Sequence, residues 1–124
     1  MAVFFICSSI MNMKKILIID DEVDFCMLLK FYLTKKNCDV CISHNLHDGL
    51  ELIENNHPDI IILDNNLPDG LGWPAAAQIL AIDPAVHLFL ISANKSNVSN
   101  TLDNLQFHVV EKPISMSQID NFLK

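Results

Sequence analysis

The run Ile60-Ile61-Ile62-Leu63 ends on a single carboxylate, Asp64, and a loop rich in turn formers, Asn65 to Gly72, follows at once. A short, unbroken aliphatic run bounded by turn signals reads as a strand buried on both faces, as in a parallel sheet. Chemistry in open α/β sheets sits beyond the carboxyl ends of the strands. Asp64 therefore stands where a reactive carboxylate is expected.

The rest of the chain repeats the theme. Ile16 to Ile19 form a second buried strand, ending on Asp20-Asp21-Glu22. A helix is expected from about Val23 to Lys36, with Phe25, Leu28, Leu29, Tyr32 and Leu33 as its core stripe. Met27 and Phe31 form a separate i, i+4 pair, either the edge of a wide buried face or an exposed patch for a partner helix. Asn37 suits a left-handed helix end. Asp39 to Ser43 reads as a strand and His44 to Asn56 as a helix capped by Asn45, before the breaker His57-Pro58. Gly72-Trp73-Pro74 opens another helix, which Asp83-Pro84 stops. Val86 to Ile91 is a strand ending on Ser92. A short, weak helix is expected from Asn94 to about Asn104, then a strand from Phe107 to Val110. Ser115 and Gln118 form a capping box for a last helix carrying Ile119, Phe122 and Leu123. Strands alternating with helices predict an α/β fold, a doubly wound five-stranded parallel sheet with helices on both faces. Residues 1–13 (MAVFFICSSIMNM) form an apolar extension expected to lie outside the fold, with translation starting at Met11 or Met13. The domain is residues 14–124.

Several function classes are excluded. The chain of 124 residues carries a formal charge of −7 and no basic run, which argues against nucleic acid as a direct partner. No apolar stretch reaches the roughly 18 residues a membrane span needs. Cys38-Asp39-Val40-Cys41 is formally a C-x-x-C pair, but residues three apart on a strand face opposite ways. Cys7, Cys26, Cys38 and Cys41 read as small apolar residues in a reducing, cytoplasmic setting. His44, His47, His57, His87 and His108 show no metal-ligand spacing.

The notable polar residues gather at predicted strand ends. These are Asp20 and Asp21, then Asp64, Ser92 and Lys112. Right-handed crossovers bring those ends to one sheet edge. Three carboxylates there suit a hard divalent cation, Mg2+, which keeps positions open for waters and a phosphoryl group. Asp64 is then an anionic nucleophile for phosphorus. Lys112 balances charge on the phosphoryl oxygens, and the Ser92 hydroxyl can donate to one of them.

On these residues the chain resembles the receiver domain of two-component response regulators, of the single-domain chemotaxis or sporulation type. The matches are Asp20-Asp21, Asp64, Pro68 and Gly72 after it, Ser92 and Lys112-Pro113, within residues 14–124. The resemblance implies a flavodoxin-like sheet in the order 2-1-3-4-5. It implies Asp64 as phosphoacceptor, Asp21 as a direct metal ligand, Asp20 acting through water, and the Asn66 carbonyl as a further ligand. It also implies Lys112 as the phosphate-binding lysine, joined to Pro113 by a cis bond. Ser92 becomes the switch hydroxyl, but its usual aromatic partner is replaced by Val109. The Ser92-to-Lys112 spacing is also shorter than in the family. Asn66 and Asn94 occupy the positions that tune phosphoryl lifetime; both are short and polar, which predicts decay in minutes rather than days.

The implied partner is a sensor histidine kinase or histidine phosphotransferase. The domain catalyses only its own phosphorylation and dephosphorylation, as a monomer or weak dimer. The sequence stops soon after the last helix, so output is expected through a docked partner or a phosphorelay, whether the chain stands alone or is part of a larger protein. The alternative is a receiver-like interaction module that needs no phosphorylation. A haloacid-dehalogenase-type phosphohydrolase would carry Asp where Asn66 stands, and a nucleotide-binding enzyme would need a Gly-rich loop that is absent.

Overall fold

Each apolar run identified above becomes a strand. The computed structural model describes residues 13–93 and 107–123. In chain order the strands are β1 (Lys15–Ile19), β2 (Asp39–Ser43), β3 (Ile60–Asp64), β4 (Asn66–Leu67), β5 (Gly70–Leu71), β6 (His87–Ser92) and β7 (His108–Glu111). The helices are α1 (Val23–Lys35), α2 (Leu46–Asn56), α3 (Ala76–Ile82) and α4 (Met116–Phe122), with a 3-10 turn, Trp73–Ala75, leading into α3. The main sheet runs β2-β1-β3-β6-β7, every neighbour parallel. With the small β4–β5 hairpin set aside, this is the expected 2-1-3-4-5 order. The helix expected over 94–104, the residue Asn94 and the leader up to residue 12, Cys7 included, lie outside the described residues.

The unbroken aliphatic character of β3 follows from having a layer on each side. Ile60 and Ile62 pack with Ile16, Ile18, Phe89 and Ile91 against Cys26, Leu29 and Leu33 of α1 and Ile119 and Phe122 of α4. Ile61 and Leu63 pack with Leu17, Ile19, Leu88 and Leu90 against Ile53 of α2 and Ile79 of α3. Each such fully buried Ile or Leu contributes about 2 kcal/mol relative to exposure.

Helix α1 departs from the expected stripe. Cys26, fully buried, takes the core position with Leu29 and Leu33, while Phe25 and Tyr32 flank them. Leu28 is 63% exposed. The thiol acts as a core apolar group, and counting it rotates the buried face away from Leu28. Met27 and Phe31 are therefore exposed, and with Val23, Leu28 and Met116 they are the large apolar side chains left open around α1 and the start of α4.

The ends of the elements obey local rules. Asn37, at φ 64°, ends α1 in the left-handed region. His57, at φ 47°, closes α2 in the same way. The Asn45 side chain accepts from the Asp48 amide, capping α2, and Ser115 and Gln118 form the expected box on α4. Cys38, just before β2, is buried and Cys41 within it is exposed, and both are free thiols.

The segment after Asp64, expected as a loop, folds as the β4–β5 hairpin, which turns over Pro68 and Asp69, with Gly70 at φ 148° opening β5. The Asp69 carboxylate accepts from the amides of Leu46 and His47, both at 2.8 Å, so it satisfies open donors at the start of α2 and its pKa falls. Gly72 lies against β3. A Cβ there would stand 2.2 Å from the Asp64 carbonyl oxygen and 3.0 Å from Leu63 Cδ1. Gly72→Ala must push the end of β3 or the start of α3 aside. Urea unfolding should show a loss of about 1–3 kcal/mol, the usual range for overpacking.

Candidate phosphoacceptor site

The parallel register sets the site. Ile19 pairs with Leu63, so the next residues, Asp20 and Asp64, emerge side by side from β1 and β3. Alternation turns both toward the α1 layer, since each continues the Ile18 and Ile62 face. Asp21 follows at the surface. The carboxylates of Asp20, Asp21 and Asp64 lie within 4.8 Å of one another. Asp20 and Asp64 are buried.

Lys112 reaches this cluster from the end of β7. Its amide donates to the Ser92 carbonyl at 2.8 Å, and the Lys112–Pro113 bond is cis, as expected. The ammonium is nearest Glu22 (Oε1, 2.8 Å) and Asp20 (Oδ2, 3.0 Å), with Asp64 Oδ1 at 3.9 Å. It also lies 4.9 Å above the Phe25 ring. Sequence reading assigned Lys112 to the phosphoryl oxygens at Asp64; of its three carboxylate contacts in the structure, Asp64 is the most distant. Burial opposes the charge on Lys112, but the bonds to Glu22 and Asp20 and the fields of Asp20 and Asp64 outweigh it, and its pKa is raised.

Asp20 is anchored from several sides. Its Oδ1 accepts from the Glu22 amide at 2.9 Å. Its carbonyl meets the Cys26 thiol at 3.2 Å and His44 Nδ1 at 2.9 Å. Burial, with Asp20 adding to it, pushes the Cys26 thiol up to about 12, so this cysteine stays protonated.

The other expected residues take definite places. Ser92 is buried at the end of β6, one residue past the Asp64–Ile91 pair. Val109 pairs with Leu90 and so shares the sheet face of Ser92. His108 faces the other layer, its ring stacked on Phe89 at 5.1 Å. Asn66 is exposed on β4, opposite Leu71. Two contributors went unnoticed in the sequence. Glu22 read as one more acid of an acidic turn, and Asn65 read as a turn former. Asn65 ties the site to α3: its carbonyl accepts from the Gly72 amide at 2.8 Å and its Oδ1 from the Trp73 amide at 3.0 Å.

Burial and then the neighbouring Asp20 raise the Asp64 pKa to about 6, against the opposing pull of Lys112 and of the Asn65 amide. The cluster thus carries more negative charge than one lysine balances, which is the donor chemistry that fits a hard divalent cation. The sign of the pH effect follows. A carboxyl whose folded pKa exceeds its unfolded value of about 3.9 stabilises the fold most when protonated. That contribution is complete below about pH 4 and is lost as the pH rises through about 6. With divalent ions chelated, Asp64→Asn should be up to about 3 kcal/mol more stable than wild type at pH 8, and the gap should close near pH 4. Urea unfolding at the two pH values measures it.

Comparison with known proteins gives the family and the fold. The family model described as response regulator receiver domain matches residues 16–124. A two-component response regulator from Clostridium difficile superimposes with a TM-score of 0.80 at 26% identity, over 90% of this chain and 93% of the other. The response regulator TrrA from Thermotoga maritima, in complex with Mg2+-BeF, gives 0.77 at 23% identity, over 88% and 96%. A response regulator from Burkholderia pseudomallei, with a phosphorylated aspartic acid, a calcium ion and citrate, gives 0.76 at 21%, over 90% of this chain and 66% of its own length. With its sheet order, its acidic strand ends and this match over most of its length, the chain belongs to the response regulator receiver domain family.

Proposed function

We propose that Asp64 accepts a phosphoryl group from a phosphohistidine on a sensor histidine kinase or histidine phosphotransferase. The observation that carries this reading is the convergence of Asp20, Asp21 and Asp64 within 4.8 Å, with the Lys112 ammonium 3.9 Å from Asp64. An Asp64 oxygen forms its bond to phosphorus as the donor's nitrogen–phosphorus bond breaks. Asp20, Asp21, Asp64 and the Asn66 carbonyl would hold Mg2+. When bound, the ion neutralises charge on the carboxylates and the phosphoryl oxygens. Lys112 supplies a further positive charge and Ser92 a hydroxyl donor. The relatives support this reading: the Burkholderia regulator contains a phosphorylated aspartic acid and a calcium ion, and the Thermotoga regulator is in complex with Mg2+-BeF. The domain catalyses its own phosphorylation and dephosphorylation and acts on no separate substrate.

The phosphoryl donor docks along α1. Val23, Met27, Leu28 and Phe31 leave an apolar strip on this helix, which starts beside the acidic cluster. A strip of that kind suits the face of a partner helix. The notion of a module independent of phosphorylation draws on Val109, which cannot serve as the aromatic half of a Ser92 switch.

Labelling decides between them. Acetyl phosphate with Mg2+ should add the mass of one phosphoryl group to the wild type. The adduct should be absent in Asp64→Asn and in excess EDTA, and it should decay within minutes, given the short, polar Asn66 and Asn94. An unmodified wild type with native circular dichroism would sink the phosphoacceptor reading. For docking, Phe31→Asp should slow transfer from a phosphorylated histidine phosphotransferase about tenfold or more, the loss of one apolar anchor. Labelling by acetyl phosphate should be unchanged in the same variant.

A further inference from the structure

Glu22 occupies the N-cap position of α1, yet its side chain makes no capping bond. Asp, Asn, Ser or Thr would cap the helix there. Glu22 instead reaches across to Lys112, 90 residues away in sequence, and makes the shortest contact that the ammonium has with any carboxylate. The bonds close a ring. The Glu22 amide donates to one oxygen of Asp20, the other oxygen of Asp20 accepts from Lys112, and Lys112 donates to the Glu22 carboxylate.

The two anchors of the lysine differ in kind. The Asp20 side chain is fully buried and fixed. The Glu22 side chain is 61% exposed, so it can turn into water at little cost. Lys112 itself is only 17% exposed and stands over Phe25, which keeps its ammonium within the pocket. Added negative charge on Asp64 would draw the ammonium from its 3.9 Å position, and the contact that can yield is the one to Glu22.

We infer that Glu22 is a positioning residue that holds Lys112 on the α1 side of the pocket and competes for it with the phosphoryl group on Asp64. The inference rests on Asp64 being the phosphoacceptor. Glu22 then sets how strongly the pocket holds its phosphoryl group. Its release also ties that event to the first turn of α1, next to the exposed apolar strip.

The test is a beryllofluoride titration at saturating Mg2+, followed by 1H–15N NMR, on wild type, Glu22→Gln and Asp24→Asn. Asp24 lies two residues further on, in the same helical turn, and is not a partner of Lys112. Glu22→Gln should bind the anion about threefold more tightly than wild type, the size a partly exposed ion pair supports. Asp24→Asn should stay close to wild type. A structural role for Glu22 would weaken binding, so a gain in affinity is a readout that damage to the fold does not produce. Equal or weaker binding by Glu22→Gln overturns the inference. So does an equal gain in Asp24→Asn, which would mark a general charge effect. A wild type that binds no beryllofluoride while keeping its native spectrum removes the phosphoacceptor reading, and the inference with it.

Discussion

A carboxylate sealed at the end of a doubly covered strand is the constraint on which this molecule turns. Asp64 is buried because β3 is buried, and β3 is buried because helices cover both sides of the sheet. Like charge next to it raises the cost of ionisation. The fold holds Asp64 in that setting by packing, with Ile60 to Leu63 anchoring the strand below it. A reactive group kept in an unfavourable environment by a rigid core is a common route to tuned chemistry.

The neighbouring polar groups can be understood as ways of managing that charge. Lys112 offsets part of it, but it is shared among Asp20, Glu22 and Asp64. Asp20 is held by an amide, so it cannot swing away from its neighbours. Among the described residues, the result is a pocket of excess negative charge whose lysine is not wholly committed to any partner.

Much of this was legible in the sequence, for reasons that differ by residue. Ile16–Ile19 and Ile60–Leu63 announce buried parallel strands because only a layer on each side explains apolar residues at every position. Asp20, Asp64 and Lys112 then fall at one edge through topology alone. Leu28 misled because helical periodicity was counted without Cys26, whose thiol packs as a hydrocarbon would. The preference of Lys112 for Glu22 was not legible, because it depends on where two side chains far apart in sequence meet. The β4–β5 hairpin was hidden because two-residue strands have no period to detect. Gly49 shows the same limit. Helix α2 lies so close to β1 at this residue that a Cβ would meet Ile19 Cδ1 at 2.7 Å, a demand that no local pattern carries.

The single tryptophan has a consequence of its own. Trp73 is buried, packs in the α2–α3 layer with Leu63 and Leu67, and its amide is held by the residue directly after Asp64. An indole in such a place emits as one fluorophore in one apolar environment. The chain thus carries a built-in optical probe, its amide bonded to the residue that follows Asp64, that needs no label and has no second tryptophan to obscure it.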